Sequence, residues 1–238
     1  MRQVVFTHGA VLSSEEHIIG VLRNAGWWVA DYVYAGYWQV RALFDRTDPA
    51  SFASGSAAHI VVLPGVYETW RFLQPFVVAM HRRGHPVHIV DALRRNQQPV
   101  VDLAADVTAF LDEHDLTDVI LVAHSKGGLA GKLVMTGPAG ERVRSMLAVA
   151  TPFGGSRYAR RILSRTLREF SPEAPSIVSL ARQLSVNERI VSVYAGFDPH
   201  IPEGSELAGA KNVRLETGGH FRILAHPRVL AELAVLAE

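Results

Sequence analysis

A single serine stands where a run of aliphatic residues meets two glycines, in Val119-Ile120-Leu121-Val122-Ala123-His124-Ser125-Lys126-Gly127-Gly128. The run reads as a buried strand, and the residues after Ser125 read as a helix that starts at once. Small residues at minus two and plus two, Ala123 and Gly127, suit a sharp strand–turn–helix in which Cβ atoms would otherwise collide. Such a turn lifts the serine oxygen above the strand at the positive end of a helix. A serine hydroxyl becomes a nucleophile only when a base takes its proton and an acid holds that base in one tautomer. Thr217-Gly218-Gly219-His220 supplies the base, since its glycines let the backbone carry an imidazole over a sheet edge. Asp198, just past the apolar run 190–194, supplies the acid, and its neighbours Glu203 and Glu206 lie farther along the loop.

Acyl transfer also needs two N–H donors for the oxyanion. One is the backbone N–H of Lys126, next to the nucleophile. The other comes from Pro64-Gly65-Val66-Tyr67-Glu68, where Val66 is the first choice and Tyr67 the second. Gly65 lets this backbone approach closely. His124 adjoins the nucleophile with its side chain turned away, and it counts with Gly65 and Tyr67 among the residues that shape the pocket. His226 falls inside the final helix and His200 on the acid loop, so neither is placed to act as base.

These groups need a scaffold that presents loop ends side by side. From residue 59 onward, short apolar runs at 60–63, 87–90, 119–123, 143–150, 190–194 and 213–215 alternate with helical patterns at 70–83, 100–114, 126–135 and 221–236. That alternation predicts an α/β protein with a mostly parallel sheet covered by helices on both faces. Ligands then bind at the carboxyl ends of the strands. An arginine-rich helical stretch at 156–185 interrupts the alternation and reads as a short lid, with Leu163, Leu167, Ile177, Val178 and Leu180 as an apolar wall. The chain divides into a helical leader, 1–57, and a main domain, 58–238.

The leader opens with the capping-box signature Ser13-Ser14-Glu15-Glu16 and a helix that ends at Gly26. An aromatic stretch follows, from Trp27 and Trp28 to Phe44. It carries Asp31, Gln39 and Arg41, so it is a poor membrane span. It reads either as a helix packed on the core or as an interfacial helix resting on lipid.

With 24 Lys and Arg against 23 Asp and Glu, the chain has no field that would recruit nucleic acid. Zero cysteines exclude disulfides, thiolate metal sites and a cysteine nucleophile. The polar start, with one basic residue and a three-residue apolar run, does not read as a signal peptide, which points to the cytoplasm, with membrane contact at most peripheral. His81, His85 and His88 are not a metal set, because Gly84 and Pro86 break the helix between them. Asp112, Glu113 and Asp115 form a solvated charge run. No metal or cofactor is expected.

The elbow at Ser125, the segment Leu63-Pro64-Gly65-Val66, Ala150-Thr151-Pro152-Phe153-Gly154-Gly155-Ser156 and Gly218-Gly219-His220 together resemble the lipase/esterase branch of the α/β-hydrolase superfamily. The resemblance spans about 59–238 and omits the leader. Ala123 departs from the usual first glycine of the elbow. The resemblance implies that Thr151, Pro152 and Phe153 line the acyl side of the pocket, and that the chemistry is cofactor-free hydrolysis of carboxylic esters. Thr151 also stands where some relatives carry the acid, which leaves that role to Asp198. Acyl or lipid-like esters are the expected substrates. A thioesterase, an amidase or a cofactor-free haloperoxidase could use the same triad, and a ligand-binding protein could retain a slow one.

Overall fold

The computed structural model describes residues 14–93 and 95–238. Six strands form one all-parallel sheet: β1 (Ile60–Leu63), β2 (Val87–Ile89), β3 (Val119–His124), β4 (Val143–Val149), β5 (Ile190–Phe197) and β6 (Lys211–Gly218). Their order across the sheet is β2-β1-β3-β4-β5-β6. Helices α2 (Gln74–His81), α3 (Val100–Glu113), α4 (Lys126–Thr136) and α7 (Pro227–Leu236) are the crossovers and the closing element.

Every residue of β1 and β3 is buried, as expected of parallel strands with helices on both faces. Alternate side chains feed two separate cores. Val61, Leu63, Leu121 and Ala123 pack with α3 and α4, through residues such as Leu103 and Leu129. Ile60, Val62, Ile120 and Val122 pack with α2 and α7, through Phe76 and Leu233.

The register brings the strand ends level. Leu63 pairs with Ala123, His124 with Val149, and Phe197 with Gly218. The loops that begin at residues 64, 125, 150, 198 and 219 therefore emerge along one edge.

Several boundaries differ from those read in the sequence. Among the described residues, the leader holds one unbroken helix, α1 (Ser14–Phe44), followed by a 3₁₀ turn at Pro49–Phe52. Gly26 does not end it, because an isolated glycine only weakens a helix, by about 1 kcal/mol. The capping role of Ser13 lies outside the described residues. Strands β5 and β6 are longer than their apolar runs, reaching Phe197 and Gly218. The final helix starts at Pro227 after a 3₁₀ turn, Arg222–Ala225. His226 is its N-cap rather than an interior residue: its ring accepts from the Arg228 N–H at 3.2 Å. Segment 156–185 is broken into a 3₁₀ turn (Arg157–Arg161), α5 (Arg165–Arg168) and α6 (Pro175–Arg182).

Helix α1 packs on β6 and on the 3₁₀ turns at Trp70–Leu73 and Arg222–Ala225. Trp38 and Asp31 are buried beneath it, and Trp27 stacks on Phe197 at 6.4 Å.

Candidate active site

Ser125 sits between β3 and α4 with φ 49° and ψ −118°, a left-sided conformation that a non-glycine residue keeps only under tertiary constraint. Its N–H donates to Val149 O at 2.8 Å, which ties the turn to β4. The small residues after it are required by contact. A Cβ on Gly127 would lie 2.1 Å from Leu63 O, and one on Gly128 would lie 2.0 Å from Thr151 Oγ1. Gly127→Ala is expected to push α4 off β1, to lower stability by about 2–3 kcal/mol and to slow every reaction of Ser125. A urea midpoint unchanged from the wild type would contradict that account.

The imidazole of His220 bridges the other two groups. Its Nε2 lies 3.0 Å from Ser125 Oγ and its Nδ1 lies 2.8 Å from Asp198 Oδ2. Asp198 Oδ1 accepts from the N–H groups of His200 and Ile201 at 2.7 and 3.0 Å. Burial alone would raise the Asp198 carboxyl, but His220 and these donors hold it below the usual carboxylate range. Burial likewise pushes the His220 imidazole down, but Asp198 outweighs it, aided by Glu68 and Asp31, so His220 stands above its ordinary 6.5. Nδ1–H donating to Asp198 leaves Nε2 free to accept the serine proton.

Two buried carboxylates that the motif reading did not include hold this array. Asp31, fully buried on α1, accepts from the backbone N–H groups of His220 (3.0 Å), Phe221 (2.8 Å) and Arg222 (2.8 Å). Gly219, at φ +128°, is the hinge that turns these donors inward, and a Cβ there would lie 2.7 Å from Asp31 Oδ1. On the other side, Glu68 Oε2 accepts from Gly65 N–H at 2.7 Å and meets His124 Nδ1 at 2.9 Å. The Nε2–H of His124 donates to His220 O at 3.0 Å. Both ring nitrogens of His124 face acceptors, so the pair is satisfied only with a proton in each of its two contacts. The N–H and C=O of His220 are thus each gripped by a buried side chain.

Donors for an oxyanion can be sorted the same way. The Gly65 N–H is taken by Glu68, and the Tyr67 N–H donates to Arg95 O at 2.7 Å. Among the described residues, no acceptor takes the N–H of Val66 or of Lys126. The N–H of Tyr67, the second choice, is thus already engaged. The Lys126 side chain runs back into the protein, donating to Gln98 O and lying 3.6 Å from Glu169 Oε2. Burial lowers its ammonium pKa.

A cavity of about 290 Å³ opens over Ser125, Val66 and His220. Tyr67 and Pro152 line it, with Phe72, Ile162, Leu167, Phe170 and Phe221 as its apolar wall. Four residues assigned to the pocket are not in its wall. Gly65 is closed over by the Glu68 carboxylate, His124 is fully buried under His220, Thr151 fills the notch at Gly128, and Phe153 joins the core. The lid residues also divide: Leu167 faces the cavity, Ile177 and Leu180 are buried in the core, and Leu163 is 91% exposed. His200 lines the cavity instead, with its ring 4.9 Å from that of His220. Its pKa is pushed down to about 4, by burial first and then by His220. Ala35 and Gln39 of α1 form part of the wall as well.

Among the described residues, no group of three or more His, Asp or Glu side chains is placed to hold a metal ion. His85 Nδ1 donates to Ala58 O, His88 pairs with His59, and His81 packs edge-on against Phe52.

Solved structures share this architecture. A Bacillus licheniformis lipase in its mature form superposes with a TM-score of 0.60 at 17% identity, over 82% of this chain and 95% of that one. The chain has the α/β-hydrolase fold. An α/β-hydrolase from a metagenome of lagoon sediments at Mar Chica, Morocco, is similar at TM-score 0.56 and 17% identity, over 76% of this chain and 90% of that one. A hydrolase from Oleispira antarctica gives 0.56 at 12% identity, over 77% and 91%. No protein-family model matches the chain, and no curated protein matches it.

Proposed function

We propose that this α/β-hydrolase-fold protein is a serine hydrolase that cleaves carboxylic esters through an acyl-enzyme. The observation that carries the reading is the continuous array Ser125 Oγ–His220 Nε2 at 3.0 Å and His220 Nδ1–Asp198 Oδ2 at 2.8 Å, opening into an apolar cavity. His220 takes the serine proton as Ser125 attacks the carbonyl carbon, and the N–H groups of Val66 and Lys126 receive the negative oxygen. The protonated His220 then gives its proton to the departing alcohol. Water repeats the sequence on the acyl-serine, with His220 again as base.

Acyl esters suit the cavity better than polar ones, because Phe72, Ile162, Leu167 and Phe170 offer it no hydrogen-bonding side chain. A volume of about 290 Å³ favours short to medium chains inside the wall, with any longer tail leaving by the mouth. A panel of p-nitrophenyl esters from acetate to palmitate tests this. kcat/KM is expected to rise with chain length to a maximum at intermediate length, by about tenfold per two or three buried methylenes. Absence of turnover across the whole panel, with a fluorophosphonate probe also failing to label Ser125, would overturn the hydrolase reading. Turnover of thioesters or amides well above esters would move the assignment to those classes.

A further inference from the structure

Most of the exposed large apolar side chains among the described residues lie on α1. At about 100° per residue, the side turned to the sheet carries Trp27, Asp31, Tyr34 and Trp38, and the opposite half of the helix faces away from the sheet. That half presents Leu22, Val29, Val33, Val40, Leu43 and Phe44, each more than half exposed, with Val33 at 67% and Phe44 at 77%. Between Ile18 and Phe44 the one acidic residue is the buried Asp31. Soluble surfaces seldom leave so long an apolar stripe bare, and one of this size marks an interface.

Three observations identify the occupant. The first is position: Ala35 and Gln39 on the same helix line the cavity over Ser125, so the stripe runs directly into the cavity mouth. The cavity wall also holds Tyr158 (53% exposed) and Ile162, whose chain neighbour Leu163 is 91% exposed, and these make a second apolar lip. The second is charge. The lips are edged by cations, with Arg23 and Arg41 on α1 lying over the Trp27 and Trp38 rings and Arg161, Arg165 and Arg168 exposed beside Leu163. The third is breadth: the apolar arc covers about half the helix circumference, whereas a helix pair buries only a narrow a/d seam.

We infer that the outer face of α1 and the Tyr158–Leu163 lip dock on a lipid surface bearing anionic headgroups, so that an ester can pass from the lipid into the cavity. Apolar side chains enter the acyl boundary, exposed Trp28, Tyr32 and Tyr37 sit at the headgroup level, and the arginines reach the phosphates. The proposal deepens the hydrolase reading by naming where the substrate comes from. Binding is measured without turnover, so the two can fail separately.

The test is flotation of the full chain with mixed phosphatidylcholine–phosphatidylglycerol vesicles, beside the surface variant Val29→Gln/Val33→Gln/Val40→Gln. The wild type is expected to float and the variant to lose partitioning by about tenfold or more. The variant should keep its thermal midpoint and its rate of labelling by a soluble fluorophosphonate. A wild type that stays at the bottom of the gradient overturns the proposal, as does a variant that floats equally well. Equal flotation on pure phosphatidylcholine vesicles overturns the requirement for anionic headgroups. Concentration-dependent dimers that the variant abolishes, without flotation of the wild type, would assign the face to a second copy of the chain.

Discussion

Ser125→Ala is expected to abolish labelling by a fluorophosphonate and to lower ester turnover by about 10³-fold or more. No neighbouring hydroxyl can take over. Ser156 lines the same cavity, but its Oγ donates to His200 O at 2.6 Å and no base faces it. The hydroxyl of Thr151 is fully buried at the α4 notch. Fold and stability should change little, because the strained backbone at residue 125 is imposed by the contacts of Gly127 and by the bond to Val149 rather than by the serine side chain. The measurement is active-site titration followed by a full kinetic profile. A variant that still labels at residue 125's neighbours, or keeps turnover within tenfold of the wild type, would contradict the assignment of the nucleophile.

Asp31 should give the next largest effect, although it lies far from Ser125 in sequence. Among the described residues, its carboxylate is the one partner of three consecutive backbone N–H groups at 2.8–3.0 Å, those of His220, Phe221 and Arg222. Asp31→Ala leaves those donors buried and unpaired and is expected to destabilise the fold by about 3 kcal/mol. Asp31→Asn is the more informative variant, because it nearly preserves shape while removing the charge. Its sign follows from His220. The base must be neutral to accept the serine proton, so kcat/KM rises with pH through the His220 pKa. That pKa stands above the ordinary 6.5, and Asp31 is one of the groups that raise it. Removing the charge should therefore move the acid limb to lower pH, while looser placement of the imidazole lowers the plateau by about tenfold. A role confined to folding would lower activity without moving the limb. An acid limb in Asp31→Asn that coincides with the wild type would exclude electrostatic tuning by this residue.

The parts of the site that could be read from the sequence are those whose signal is local. Ser125 announced itself because a buried strand, a serine and two glycines are contiguous, and the contacts of Gly127 and Gly128 give the physical reason. His220 and Asp198 each follow a strand end, so the parallel alternation placed them on the same edge. Residues whose role depends on a distant partner were not legible. Glu68 read as part of an oxyanion loop, and His124 as a neighbour turned away, because nothing in either segment indicates that they meet under His220. Asp31 did leave a trace: it is the lone acid in an otherwise apolar helical stretch, and a buried charge of that kind requires donors. Strand ends were lost for a related reason. The residues Ala195, Gly196 and Phe197 resemble a loop, and β6 is an edge strand, half exposed, whose polar residues hide its length. The pocket assignments failed at Thr151 and Phe153 because a motif fixes position along the chain, whereas packing against α4 and the core decides which way a side chain turns.

The bond from Asp31 to the His220 loop has a consequence for how the molecule forms. It joins residues 189 to 191 positions apart, so the loop entropy of that closure is among the largest the chain must overcome. During synthesis, Asp31 leaves the ribosome 189 residues before His220 and waits without these donors until residues 220–222 have emerged. The sheet can assemble strand by strand, but the base cannot be locked in place until α1 meets the loop after β6. Reactivity at Ser125 should accordingly appear as a late event in refolding, after the bulk of the secondary structure has returned.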